Sequence, residues 1–266
     1  MTAIEPGTRP GRWAAVALVV AFALLTAAPT VSRLGVAPTG RPGVAAGRAS
    51  PALPDSVPVG DLPLFPVQAP PGPLLAVLLT GDGGWAAGDK SLAAAFVRRN
   101  VAVVGLSSPR YLAHGRTTDE AAADLARIIG HFLDAWHRER VVVVGYSRGA
   151  DIGPFMVSRL PAELRERVAL TALLGPGERA SFKFGLLDLL RSHGGTKGLP
   201  VSAEVAKLRG IPVLCIYGSK DSGAICPALE RAGLAHAVVR AGGHAVHGDE
   251  GPALVQVILA ALPSST

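Results

Sequence analysis

Ser147 stands between two glycines in Gly145-Tyr146-Ser147-Arg148-Gly149, directly after the run Val141 to Val144. A glycine-flanked serine in that place supports two readings. It caps the helix that follows, for which a hydroxyl suffices, or it is a nucleophile raised into the open on a strand-to-helix turn too sharp for larger neighbours. The second reading needs partners, because a serine attacks an acyl carbon only when a base removes its proton and an acid orients that base. Asp221 follows Gly218 by three residues in "VLCIYGSKDSG", and His244 follows a Gly-Gly turn in "AVVRAGGHAVHG". Both lie just past apolar runs, as Ser147 does. Nucleophile, acid and base thus come in the order Ser147, Asp221, His244, a set suited to acyl transfer. His247 is the near competitor for the base; His114, His131, His137, His193 and His236 lack that context.

An acyl transfer also needs donors for a developing oxyanion. The run "TGDGGWAAGD" places a glycine-rich turn after the first apolar stretch, and the backbone N–H groups of Asp82 and Arg148 are the candidate oxyanion donors. A phosphate-binding loop is the rival reading of "GDGG", but the Gly-Lys-Ser/Thr ending that grips phosphates is missing. Asp151, Gly83 and Tyr146 sit in or beside the same two turns and are candidate substrate contacts. The carboxylates of Asp82 and Asp151 would suit a cationic group near the scissile bond, and the Arg148 side chain an anionic one. Each also has a local use, in a turn, at a helix start or in solvent.

These residues need a scaffold that gathers strand ends. From residue 74 the chain alternates short apolar runs, "LLAVLLT", "VAVVGL", "VVVVGY", "VALTALLG", "VLCIYG" and "AVVRA", with helical stretches. The runs predict buried parallel strands. The clearest helix spans 117–139, where Thr117 and Glu120 form a capping box and Leu125, Ile128, Ile129, Phe132, Leu133 and Trp136 share a face. Residues 89–99, 150–160 and 252–262 read as further helices. The alternation predicts a mostly parallel, doubly wound sheet with helices on both faces. With the triad order, that is the α/β-hydrolase fold and at most a small lid. The segment between Gly177 and Gly210, with "FKFGLLDLL", reads as that lid or as ordinary core helix.

The chain of 266 residues is 49% apolar and 17% charged, enough to build one sizeable α/β domain. Residues 13–31 are apolar and uncharged behind Arg9 and Arg12, so 1–31 read as a signal peptide or an N-terminal membrane anchor. Proline and glycine dominate 32–73, read as a linker with an edge strand near Leu64 to Val67. Residues 74–266 are the expected catalytic domain. The formal net charge is +6, but Lys/Arg blocks interleaved with aromatics are missing. Nucleic acid is therefore not an expected partner, whereas an anionic membrane surface is. Export into an oxidising compartment makes the two cysteines, Cys215 and Cys226, a candidate disulfide around Asp221, with free buried thiols as the alternative.

"TGDGGW", "GYSRGAD" with "PFMVSRLP", "ALLGPG", "VLCIYGSKDSGAICP" and "GGH" together resemble the bacterial VirJ/AcvB family of exported α/β-hydrolase-like proteins. The resemblance runs from about Leu74 to Leu262. It implies a periplasmic serine hydrolase, with Ser147 attacking, His244 moving the proton and Asp221 orienting His244. AcvB-type members imply hydrolysis of the aminoacyl ester of lysyl-phosphatidylglycerol; VirJ-type members imply a virulence accessory that meets secretion-system components. A thioesterase or lipase on the same fold is the third alternative. No metal or organic cofactor is needed. Two positions depart from the family pattern: Arg148, where an uncharged residue is expected, and Ala245, where a second histidine is expected.

Overall fold

A strand buried on both faces must present apolar side chains at consecutive positions, and the valine- and leucine-rich runs do so. The computed structural model describes residues 59–184, 198–245 and 251–264. In chain order the elements are β1 (Leu64–Val67), β2 (Leu74–Leu79), α1 (Ala87–Val97), β3 (Ala102–Leu106), α2 (Ser108–Tyr111), α3 (Thr118–Ala135), β4 (Arg140–Tyr146), α4 (Arg148–Ser158) and α5 (Ala162–Arg165). They continue with β5 (Val168–Leu174), β6 (Arg179–Ala180), β7 (Leu199–Pro200), α6 (Val201–Val205), β8 (Val213–Gly218), α7 (Cys226–Arg231), β9 (His236–Arg240) and α8 (Gly251–Ala260).

The main sheet has seven strands in the order β1-β3-β2-β4-β5-β8-β9. All its pairings are parallel except that of β1 with β3. Side chains alternate between two cores. Leu75, Val77, Val141 and Val143 join the layer of α3, α4, α6 and α7; Ala76, Leu78, Val142 and Val144 join that of α1 and α8. This is the α/β-hydrolase architecture expected from the alternation. Because β2, β4, β5, β8 and β9 run the same way, the residues that follow them gather at one sheet edge. The strand order reverses at β2, flanked by β3 and β4, and a crevice opens at such a switch point.

Local chemistry explains the element ends. The Glu120 N–H donates to Thr117 Oγ1 at 3.1 Å and the Thr117 N–H to Glu120 Oε2 at 2.8 Å, the expected capping box of α3. That helix stops earlier than its apolar periodicity suggests. Trp136 is its C-cap, and His137 takes a φ of 50°, which ends the turn. β1 forms the expected edge strand inside the Pro/Gly-rich stretch; Pro66 is tolerated there because an edge position need not donate. The prolines that follow are held by a side chain in place of a ladder. Buried Arg138 donates to Gly72 O at 2.7 Å, Ala69 O at 2.9 Å and Pro70 O at 3.1 Å.

Cys215 of β8 and Cys226 of α7 form a disulfide, with Cα atoms 5.4 Å apart. Among the described residues no helix is long and apolar enough to cross a membrane. The expected leader at 1–31, His247 and residues 185–197 of the expected lid segment lie outside the described residues; the described remainder of that segment carries β6, β7 and α6.

Candidate active site

Ser147 occupies the turn between β4 and α4 with a φ of 53° and a ψ of −119°, a region that non-glycine residues rarely enter. The surrounding bonds hold it there. Its N–H donates to Leu174 O at 2.8 Å, and its carbonyl accepts from the Asp151 N–H at 3.0 Å. The flanking glycines are required by contact. A Cβ on Gly145 would lie 2.3 Å from Gly149 O, and one on Gly149 would lie 2.0 Å from Leu79 O. α4 consequently starts at Arg148, two residues before the expected Ala150, because the turn spends no residue on a gradual reversal.

His244 Nε2 lies 2.9 Å from Ser147 Oγ, and its Nδ1 lies 2.7 Å from Asp221 Oδ2. With the proton on Nδ1, the imidazole donates to Asp221 and accepts from the serine hydroxyl, the arrangement that lets it take the Ser147 proton. Ser147 is only 3% exposed, whereas the His244 side chain is 28% exposed. The loops carrying the acid and the base are tied together. Ser219 N–H donates to Arg240 O at 2.7 Å and Lys220 N–H to Gly242 O at 2.8 Å. Gly218 lets them close, since a Cβ there would stand 2.0 Å from Gly243 O.

Gly175, just past β5, escapes sequence reasoning. Its φ is 61°, and a Cβ would come within 3.1 Å of His244 Cε1 and 3.6 Å of Asp221 Oδ2. The only signal is a glycine directly after an apolar run. The oxyanion turn approaches similarly: a Cβ on Gly81 would lie 2.9 Å from the Tyr146 ring and 3.3 Å from Ser147 Cβ. Arg148 is the first residue of α4, so its N–H has no acceptor within the helix and remains a candidate oxyanion donor.

The charged candidates are arranged differently from the expectation that each faces substrate. Nε and Nη2 of Arg148 both meet the Asp82 carboxylate, and the guanidinium lies 5.2 Å from the centre of the Phe184 ring. The two charges offset each other and link the oxyanion turn to the nucleophile helix, so Asp82 does not offer a separate carboxylate. Asp151 is 8% exposed, and its Oδ1 accepts from the Gly177 N–H at 2.7 Å. Burial pushes its carboxyl up to about 7, against the lowering effects of the Gly177 bond and Arg148. Buried Asp89, on α1 behind the same turn, is pushed up to about 6 by desolvation. Tyr146, half-buried with its ring centre 5.7 Å from that of His244, is pushed up to about 12, first by burial. Gly83 is exposed, with open space where a Cβ would stand. No cluster of His, Cys, Asp or Glu fit to hold a metal occurs among the described residues.

The sequence model of the family described as bacterial virulence protein (VirJ) matches residues 73–266. The chain belongs to the VirJ family. Among curated proteins none matches it. Solved structures similar to this VirJ-family chain include MenH from S. aureus, at 12% identity with 74% of this chain and 97% of that one covered and a TM-score of 0.55. Est1E from Butyrivibrio proteoclasticus follows at 13% identity, 73% and 90% coverage and a TM-score of 0.53. The carboxylesterase CesB (YbfK) from Bacillus subtilis is 17% identical, with 76% and 88% coverage and a TM-score of 0.52. Identities this low establish the shared fold alone.

Proposed function

We propose that this VirJ-family chain is an extracytoplasmic serine esterase. One observation carries the reading: the unbroken contacts from Asp221 through His244 to Ser147, at 2.7 and 2.9 Å, at the carboxyl edge of a parallel sheet. Ser147 Oγ attacks the ester carbonyl while His244 Nε2 takes its proton and Asp221 stabilises the imidazolium. The oxyanion meets the N–H groups of Arg148 and Asp82. His244 returns the proton to the departing alcohol, leaving an acyl-serine. Water then attacks the acyl carbon, again losing its proton to His244, and the acid is released as Ser147 regains its hydrogen.

The proposed substrate is the lysyl ester of phosphatidylglycerol, cleaved to lysine and the parent lipid. The family resemblance supports it; Asp151, one helical turn from the nucleophile, is buried and bonded to the Gly177 N–H and adds nothing to that support. The net charge of +6 favours approach to an anionic membrane surface. The Cys215–Cys226 bridge fits an exported, periplasmic chain. The family's description as a virulence protein favours a second reading, in which the fold binds secretion-system components.

The test incubates the purified chain with phosphatidylglycerol vesicles containing lysyl-phosphatidylglycerol, and mass spectrometry follows the lipids. Loss of the lysyl lipid with wild type and not with Ser147→Ala is expected. A lysyl lipid left intact, with p-nitrophenyl acetate still cleaved, would overturn the substrate and leave the esterase. A binding role would be indifferent to Ser147→Ala in a secretion assay.

A further inference from the structure

The turn that carries Asp82 is tied to α4 by the Asp82–Arg148 pair, and a second anchor stands at its far end, at the tryptophan that closes the TGDGGW run. Within it, the Gly84 N–H donates to Gly81 O at 3.1 Å and the Ala86 N–H donates to Gly84 O at 2.9 Å and to Asp89 Oδ2 at 3.1 Å. These bonds shape the turn without fastening it to the sheet. Trp85 reaches the sheet. Its ring stacks on Phe65 of β1, with centroids 5.2 Å apart and planes 6° from parallel. Phe65 stands opposite Gly105 in the antiparallel β1–β3 pair. A Cβ on Gly105 would come within 2.2 Å of the Trp85 ring, so the glycine forms the floor of a slot whose wall is Phe65. Glycine weakens a strand interior, and a close approach such as this gives it a reason to be there.

We propose that Trp85, seated in the Phe65–Gly105 slot, is a positioning residue that holds the 81–86 turn so that the Asp82 N–H faces the carbonyl oxygen at Ser147. The proposal rests on the serine esterase reading. The turn meets the nucleophile at Gly81, whose Cβ would stand 3.3 Å from Ser147 Cβ, and meets the outer sheet at Trp85. Only Asp82, Gly83 and Gly84 separate the two contacts, so a shift of the indole moves the donor between them. β1 therefore serves the site although it precedes residue 73, where the family match begins.

The test measures inactivation of the full chain by a fluorophosphonate, which phosphonylates an activated serine with loss of fluoride and develops charge on the oxygen the donors would bind. The limiting rate kinact and the half-saturating concentration KI are determined per folded molecule for wild type, Trp85→Ala, Trp85→Phe, Phe65→Leu and Gly105→Ala. Trp85→Ala should lower kinact by about 100-fold, the scale of a lost or misplaced donor, with KI little changed. Trp85→Phe should recover most of it. Gly105→Ala should be slow in the wild-type background and add little to Trp85→Ala, since no indole remains to displace. If Trp85 merely fills the core, these variants lose stability while kinact per folded molecule stays at the wild-type value, and the proposal fails. Phe65→Leu, on an edge strand, carries the same test if Trp85→Ala does not fold. Labelling that persists in Ser147→Ala would instead overturn the esterase reading and the proposal with it.

Discussion

Asp151→Asn should stabilise the fold, and more so as the pH rises. The carboxyl of Asp151 is raised from 3.8 to about 7 because burial disfavours its charge. A group raised in this way binds a proton more tightly in the folded chain than in the unfolded one. Stability is therefore lost as the pH climbs from the unfolded value to the folded one, and is unaffected below the former. Between about pH 5 and pH 8 only the portion up to 7 counts, and at about 1.4 kcal/mol per pH unit the loss is roughly 3 kcal/mol. Asparagine keeps a carbonyl oxygen to accept from the Gly177 N–H and carries no charge, so the variant escapes the loss. Asp89, raised for the same reason, changes both proteins equally and cancels in the difference. In urea unfolding, with a slope of about 2 kcal/mol per molar, the midpoint advantage of the variant should grow by about 1.5 M from pH 5 to pH 8. An advantage that is the same at both pH values would refute burial as the dominant influence on Asp151.

Reducing the Cys215–Cys226 bridge, or replacing both cysteines by serine, should cost about 3 kcal/mol, since the two positions are 11 residues apart and close a short loop. A urea midpoint unmoved by reductant would contradict this. Asp221→Asn should lower turnover of an activated ester by about 10⁴-fold with little change in circular dichroism, because the imidazole loses the partner that fixes its tautomer; a loss below tenfold would assign the orienting role elsewhere. Gly175→Ala should also be inactive while folded. Its left-handed φ disfavours alanine and a methyl would crowd the imidazole at 3.1 Å, so a crystal structure should find His244 shifted from Ser147 Oγ, and an unmoved ring would contradict the contact.

The parts legible in the sequence are those whose causes are local. Continuous apolar runs identified β2, β3, β4, β5 and β8, because burial on both faces leaves little room for polar positions; β9, also expected as a buried strand, is instead a half-exposed edge, with Val239 open to solvent. Ser147, Asp221 and His244 were legible because each lies within four residues of the end of its strand, and a parallel sheet brings such positions to one edge. What remained hidden depends on partners distant in sequence. The Asp82–Arg148 ion pair joins residues 66 apart, and neither alone signals that its charge is offset. The ordering of 69–72 comes from Arg138, a similar distance along the chain, so composition alone described that stretch as linker. Gly105 reads as a weakness in a strand until Trp85 is seen lying over it. Gly175 becomes meaningful only when β9 delivers His244 beside it.

Labelling by a fluorophosphonate tests the central claim, an activated Ser147, most directly. The probe requires a nucleophile paired with a base and makes no assumption about the natural substrate. Wild type should be labelled at Ser147, as located by peptide mass spectrometry, His244→Ala should be labelled far more slowly, and Ser147→Ala should not be labelled. Equal labelling of wild type and Ser147→Ala, or a wild type that does not react at all, would contradict the account.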